Sequence, residues 1–209
     1  MGIPLHSRRR ALWLVLAGAG LAAAAGAGWR WQREAGPASQ TVVPPDDVCV
    51  VAPPTPHDPL SGVGLHEARS IPVDARCPVC GMFPARSPQW ATQLIFENGD
   101  TQFFDSPLSM FAFLENVDRY AAGRERAQIA KLYVTNAKSG EWLNAQTAVY
   151  VDGSNALGPM RAGNLPAFAT TEDAQRFADH RGGVLLNFDE VTPQILDRLG
   201  NLLDHRHPL

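Results

Sequence analysis

Two thiols and a thioether lie within six residues, in the stretch Cys77-Pro78-Val79-Cys80-Gly81-Met82. Soft sulfur ligands select Cu(I), because polarizable sulfur bonds best to a polarizable cation. Zinc sites are built from Cys, His, Asp and Glu, so the adjoining Met82 favours copper over zinc. A Cys-x-x-Cys pair is also typical of half a structural zinc site or of a redox dithiol. The spacing alone therefore leaves three kinds of site open.

Length and charge narrow the function classes. The chain has 209 residues, a formal charge of -3 and a pI of about 6.0. This length suits one ordinary domain with an export segment, or two very small domains. Lys and Arg are spread along the chain, which lacks the basic patch of a nucleic-acid binder. The odd number of cysteines, three, leaves at least one of them outside any disulfide within the chain.

The first 34 residues are predicted to be an export signal or a membrane anchor. Three arginines, Arg8 to Arg10, precede an uncharged run from residue 11 to 28, and Ala25-Gly26-Ala27 offers a small-x-small cleavage site. Such a charged start, apolar run and small-residue site is the pattern of a signal peptide. The Ala and Gly content of the run favours the signal over the anchor.

The route of export and the fate of the segment stay open. Arg8 and Arg9 resemble a twin-arginine pair, but Ala11 stands where such signals usually have another residue. The apolar run, if helical, would extend for about 27 Å, so an uncleaved anchor is sterically possible.

Residues 35–70 are predicted to form an extended, proline-rich spacer. Each proline removes a backbone donor and fixes φ, which excludes a helix or a central strand at this density. The prolines are Pro37, Pro44, Pro45, Pro53, Pro54, Pro56 and Pro59. Cys49, His57 and His66 lie in this region and are either auxiliary metal ligands or solvent-exposed linker residues.

A ββα unit is predicted next. Trp90 to Phe96 alternates in the manner of a strand, Asn98-Gly99 is a hairpin turn, and Thr101 to Phe104 returns as a second strand. Ser106 is a suitable N-cap and Pro107 suits the first position of the following helix.

A second unit with a similar order of elements follows. Its predicted strands are Lys131 to Thr135, Thr147 to Val151, Ala167 to Ala169 and Val184 to Phe188. Lys138 to Gly140 is predicted to be the turn between the first two of these strands. Its predicted helices are one capped by Thr171 and ended by Gly182-Gly183, and a terminal one from Pro193 to Leu203. We therefore expect an α+β domain, residues 71–204, of two related small ββα(β)-type units packed together, at about 71–125 and 126–204.

Several separated motifs follow one another along the chain: Cys77 to Met82, Lys131-Leu132-Tyr133-Val134, Ala148-Val149-Tyr150-Val151, Gly158-Pro159-Met160 and Gly182-Gly183-Val184-Leu185. With these motifs in this order the chain resembles the NosL family, the copper-binding accessory proteins of nitrous oxide reductase. The resemblance runs from about Arg76 to about Leu196. It implies a periplasmic protein that binds one Cu(I) and delivers it for assembly of a copper-sulfur centre. The implied partners are nitrous oxide reductase, its membrane-bound assembly machinery, or both.

The family motifs carry over to three positions, and the chain departs from them in places. Cys80 and Met82 match the family's Cys-Gly-Met, and Met160 matches its second methionine motif, where Arg161 replaces the usual Gly. Many members are lipoproteins with a His-rich tail. This chain has no obvious lipobox, and of such a tail it has only His205 and His207.

The candidate metal ligands are Cys80, Met160, Met82, Cys77 and His180. Cys80 ranks first because it adjoins Gly81-Met82, while Cys77 is either a second ligand or the partner of Cys80 in a disulfide. His180 is either a ligand or a residue that satisfies the last carbonyls of its helix. Met110 lies on the apolar side of the first helix and is predicted to be core.

The alternative function is a thiol-disulfide oxidoreductase that uses Cys77 and Cys80. Such a dithiol normally opens a helix, whereas Gly81, Pro84 and Pro88 interrupt the chain directly after this one. A zinc ribbon needs a second Cys or His pair at suitable spacing, and the chain does not offer one. Because it also shows no pattern of a catalytic triad or a phosphate loop, we expect no catalysis.

Overall fold

The computed structural model describes residues 52–201. The predicted export segment, the linker as far as Val51 with Cys49, and His205 and His207 lie outside the described residues. Among the helices from residue 52 to 201, none has the length and apolar character needed to cross a bilayer.

The first sheet has four strands in the order β2-β1-β3-β4. They are β1 Thr92–Phe96, β2 Thr101–Phe104, β3 Ile129–Thr135 and β4 Trp142–Asn144. β1 and β2 form the hairpin expected from Asn98-Gly99, and Gly99 has a φ of 85°, a region that glycine enters without steric cost.

Two helices follow the hairpin, α1 Pro107–Glu115 and the short α2 Val117–Tyr120. Ser106 caps α1 as predicted, since its hydroxyl accepts a hydrogen bond from the backbone N–H of Ser109. Pro107 occupies the first turn, where a missing N–H costs nothing. The predicted ββα unit is therefore present.

The second sheet has three strands in the order β6-β5-β7. The remaining elements are β5 Val149–Asp152, β6 Ala167–Phe168, α3 Thr171–Arg181, β7 Val184–Leu186 and α4 Pro193–Asn201. The α3 cap is Thr170 rather than the predicted Thr171, because Thr170 has extended φ and ψ and its side chain accepts from Asp173 N–H. The α+β class and the two small sheets agree with the prediction.

The predicted pairing in the middle of the chain was wrong. The turn at residues 138–140 leads from β3 into β4, and both strands join the first sheet rather than a second unit. Thr147, predicted to begin the next strand, instead ends a 3-10 helix, Ala145–Thr147. Three residues of β4 give too short a pattern to be recognised, so the hairpin was assigned to the wrong partner.

Residues 52–70 contact the first sheet, in contrast to the predicted spacer. The Gln93 side chain hydrogen-bonds both the N–H and the C=O of Arg69, and the Gln102 amide donates to Ala52 O. Thr55 forms a β-bridge with Thr101. Proline prevents regular structure here, but it does not prevent packing when side-chain amides satisfy the backbone.

A hydrophobic core connects α1 with both sheets and α4. It includes Phe104, Phe111, Tyr150 and Leu196, and also the side chain of Cys77. The fully buried Tyr150 donates its hydroxyl to Ala145 O at 2.7 Å, and burial raises the pKa of that hydroxyl. This core fixes the base of the cysteine loop.

Candidate metal centre

The loop from Cys77 to Met82 is closed by its own backbone. Gly81 N–H donates to Cys77 O and Cys77 N–H donates to Met82 O, each at 2.8 Å. Gly81 has a φ of 74°, which favours glycine. Cys77 is fully buried in the core and Cys80 is half-buried. The loop therefore holds one thiol inside the domain and the other near its surface.

A buried carboxylate completes this cluster. Asp105 lies between the end of β2 and the cap of α1 and is 1% exposed. The sulfur atoms of Cys77 and Cys80 and a carboxylate oxygen of Asp105 all lie within 4.8 Å of one another, so the three residues could hold a metal ion. The Cys80 thiol donates to Asp105 Oδ1 at 3.2 Å, while the buried Oδ2 has no hydrogen-bond partner.

The two thiols influence each other's ionisation. Burial is the largest influence on Cys77 and opposes its ionisation, but the hydrogen bonds from the Cys80 side chain and from the backbone of Asp105 and Cys80 together lower the pKa of Cys77. The same hydrogen bond, together with burial and the negative charges of Cys77 and Asp105, raises the pKa of Cys80. The pair therefore loses its protons in two separate steps. A soft cation that binds here must displace a proton from Cys80.

Met160 lies in a tight loop on the other side of the site. Leu157 bridges to Gly163, and Gly158 N–H donates to Ala162 O at 2.9 Å. Arg161 has a φ of 57°, a left-handed conformation that is uncommon outside glycine. Arg161 therefore holds a backbone conformation that normally suits glycine.

Asn164 ties this loop to the start of α1. Its Oδ1 accepts from Leu108 N–H at 3.2 Å and from Leu165 N–H at 2.9 Å. A Cβ at Gly158 would come within 2.2 Å of Asn164 Nδ2, so the glycine permits this close approach. These hydrogen bonds hold the loop that carries Met160 against the start of α1.

Cys80 and Met160 line one cavity of about 350 Å³. Four segments build its wall: Val79 and Cys80, the start of α1 with Leu108 and Ala112, the loop with Met160 and Asn164, and α4 with Leu196 and Gly200. Met160 is 38% exposed. Cys80 therefore belongs to two sites: the cluster of two thiols and one carboxylate, and the cavity that the partly exposed Met160 also lines.

The other candidate ligands in the described residues do not line this cavity. Met82 contributes its carbonyl to the loop but does not line the cavity with Met160. His180 is exposed and lines a separate depression with Lys138 and Phe177. His57 and His66 are half-buried and contact Arg69 and Glu97 O, respectively.

Asp105 is the residue that sequence reasoning missed. It directly follows a strand whose four residues are all buried and directly precedes a helix cap. A charged residue at that point is a recognisable signal, because binding groups are often found where a strand gives way to a loop. Met110, in contrast, is fully buried in the core as predicted.

The family model described as NosL matches residues 68–196 of this chain, which is more than half of its length. The chain belongs to the NosL family. A curated NosL relative, the copper-binding lipoprotein of Stutzerimonas stutzeri, is 28% identical over 134 residues. That match covers 60% of this chain and 66% of the relative's length.

Two solved NosL structures are also similar. The copper chaperone NosL from Shewanella denitrificans has a TM-score of 0.52 at 24% identity, covering 61% of this chain and 97% of that one. The apo-NosL protein from Achromobacter cycloclastes has a TM-score of 0.38 at 23% identity, covering 50% of this chain and 87% of that one. The first of these supports the NosL fold.

We expect Asp105→Asn to shift thiolate formation in the Cys77–Cys80 pair of this NosL chain to lower pH. The negative charge of Asp105 raises the pKa of both thiols, and Asn removes the charge while keeping the shape. The pH dependence of thiolate absorbance and of alkylation rate, measured without metal, tests this. Asp118→Asn, at an exposed acid in α2, is the control and should leave the titration unchanged. An unshifted titration in Asp105→Asn would show that the carboxylate does not act on the thiols.

Proposed function

We propose that this chain is a periplasmic Cu(I) chaperone that holds the ion between Cys80 and Met160. It delivers copper to nitrous oxide reductase, or to the membrane-bound machinery that assembles the enzyme, for the copper-sulfur centre. Family membership and the name of the curated relative, a copper-binding lipoprotein, support a copper function. The predicted export segment and the lipoprotein name of that relative support a periplasmic location, with membrane attachment if the segment is not cleaved.

The observation that carries the proposal is the meeting of Cys80 and Met160 in one cavity although they are 80 positions apart in the chain. Thiolate and thioether are the ligands that soft Cu(I) prefers. Asp105, against Cys80, provides a buried negative charge that attracts a cation. A structural zinc site would need four ligands of the Cys, His or carboxylate type, and the described residues bring three together.

The same arrangement suits release of the ion. A thioether is a neutral and weaker donor than a thiolate, so one side of the site is easily displaced. Met160 is also the more exposed of these two sulfur residues. A receiving protein can therefore approach from the Met160 side and add its own ligand before Cys80 releases the ion.

Copper transfer tests this function directly. The protein, loaded anaerobically with one Cu(I), is mixed with copper-free nitrous oxide reductase or its assembly machinery, and the copper in each is measured after separation. We expect transfer from the wild type and from the core variant Met110→Leu, and none from Cys80→Ser. If copper remains on the wild-type protein with every acceptor, delivery to this enzyme is wrong even if Cu(I) binding stands.

The second candidate, a thiol-disulfide oxidoreductase, is favoured by the closeness of two free thiols. A catalytic thiol must be both accessible and low in pKa. Here the thiol with the lowered pKa, Cys77, is fully buried, and the pKa of the more accessible Cys80 is raised. Neither thiol begins a helix. This combination favours metal binding over disulfide exchange, and we propose no catalytic role.

A further inference from the structure

Exposed apolar side chains are concentrated in two segments near Met160. Among residues 52–201, six large apolar side chains are exposed, and three of them are Leu157 at 58%, Met160 at 38% and Val184 at 59%. Leu157 and Met160 share one tight loop, which the bridge from Leu157 to Gly163 closes. Val184 begins β7 and pairs with Asp152 at the end of β5, directly before the chain enters that loop.

The backbones of these two segments are in contact. Asn155 N–H donates to Arg181 O at 2.8 Å. A Cβ at Gly183 would come within 2.6 Å of Asp152 O, so glycine permits the close approach. The loop at 152–163 and the segment at 181–184 therefore lie side by side. We call their exposed side chains the docking face: Leu157, Met160, Arg161, Arg181 and Val184.

The docking face carries positive charge that the domain does not neutralise. Arg161 and Arg181 are exposed, and neither forms an ion pair within residues 52–201. The buried Asp152 is paired with an arginine of α4. Asp179, the acid nearest to Arg181 in the sequence, accepts a hydrogen bond from Gln175 at 2.8 Å. Because the whole chain has a formal charge of -3, this positive region is a local feature.

The positive region continues along α3. Arg181 also lines the depression of about 370 Å³ that contains His180, and Lys138 and Arg176 lie in the same wall. The acid of this wall, Asp173, is already paired with both Lys138 and Arg176. An approaching protein therefore meets basic side chains from the depression to the loop that carries Met160.

We propose that the docking face binds an acidic surface of the copper-receiving protein, with an apolar patch at the centre of that surface. The proposal rests on the proposed Cu(I) function and names the chemistry of the partner. Carboxylates of the partner pair with Arg161 and Arg181, and its apolar patch covers Leu157 and Val184. Met160 lies within the same face, so docking brings the ligands of the partner to the exposed side of the copper site.

Charge and geometry favour this occupant over two others. A second copy of the chain docked through the same face would bring arginines against arginines, because a twofold interface uses one patch on both subunits. A lipid surface on the docking face would cover Met160, the side from which copper leaves. An acidic protein gains steered association from the two arginines and needs contact only for the time of transfer.

The test reverses the character of the face without changing the loop that carries Met160. The double variant is Arg181→Glu with Val184→Glu. The control, Leu60→Glu with Arg119→Glu, makes the same change of charge at an exposed apolar residue and an exposed arginine elsewhere. Thermal melts verify folding, and chelator competition verifies that Cu(I) affinity stays at the wild-type value in both. The milder Arg181→Gln serves as a second variant of the face.

Two quantities are measured with copper-free nitrous oxide reductase and with its assembly machinery: the affinity of the complex and the rate of copper transfer. We expect the double variant to lose at least about tenfold in both, Arg181→Gln to lose less, and the control to match the wild type. Wild-type affinity should fall as salt is raised, because exposed charges are screened.

Equal losses in the double variant and the control would overturn the proposal, since net charge rather than the face would be responsible. Wild-type affinity in the double variant, or no complex with any acceptor, would also overturn it. Loss of a dimer in sedimentation, or of binding to phosphatidylglycerol vesicles, with acceptor binding retained, would assign the face to another occupant. The proposed function fails by a different result, a complex that depends on the docking face but passes no copper.

Discussion

Replacing Cys80 with serine is expected to abolish tight Cu(I) binding, whereas replacing Cys77 should only weaken it. Cys80 is shared by the thiol and carboxylate cluster and by the cavity with Met160, while Cys77 lies in the core. Serine removes the soft donor and keeps the size of the side chain. We expect Cys80→Ser to lose about 4 kcal/mol or more of binding free energy, at least about a thousandfold in affinity. Anaerobic titration against a Cu(I) chelator measures the loss.

The same two variants separate a chaperone from a dithiol enzyme. A redox dithiol needs both sulfur atoms equally, so its activity would vanish in Cys77→Ser and in Cys80→Ser alike. We expect the wild-type protein to reduce insulin disulfides at no useful rate. Strong reductase activity that both substitutions abolish would contradict the chaperone interpretation.

Met160→Ala is expected to weaken Cu(I) binding by about 1.5–4 kcal/mol, roughly ten- to a thousandfold, without unfolding the protein. Met160 is 38% exposed, lines the cavity with Cys80, and lies in a loop outside the core clusters. Its removal therefore takes away a donor but little packing. Chelator competition gives the affinity, and a thermal melt gives the stability.

Met110→Ala is the matched control, because it makes the same truncation at a fully buried methionine of α1. It should lower the free energy of unfolding by about 2–5 kcal/mol and leave the Cu(I) affinity of the folded protein unchanged. If Met160→Ala binds copper like the wild type but melts early, Met160 is a packing residue. In that case the site between Cys80 and Met160 is wrong.

The parts of the fold that local sequence specifies were predictable. Asn98-Gly99 defines the β1–β2 hairpin, and Ser106-Pro107 defines the start of α1, because each acts through its own backbone geometry. The partner of β3 was not predictable in this way. β3 pairs with β4 in the first sheet, whereas β5 belongs to the second sheet. Which of the two strands pairs with β3 depends on how the sheets pack, and the local sequence pattern does not contain that information.

The candidate site likewise has a part that the local sequence predicts and a part that only the folded chain brings together. The cysteine loop is a local motif, and its soft donors indicated copper from the sequence. That Met160 lies in the same cavity as Cys80 was expected only from the resemblance, since 80 positions of chain separate them. Asp105 was missed because a single acid near a helix cap is normally a solvated residue. Only the folded chain places it against Cys80 and buries it.

Selenium-edge X-ray absorption of the Cu(I)-loaded selenomethionine protein tests the central claim most directly. The chain has four methionines, Met1, Met82, Met110 and Met160, so a copper neighbour seen from selenium identifies thioether ligation, and single leucine variants assign it. The account predicts a copper neighbour that persists in Met110→Leu and disappears in Met160→Leu. A copper neighbour that survives in Met160→Leu, or none in the loaded wild type, would contradict a Cu(I) held between Cys80 and Met160.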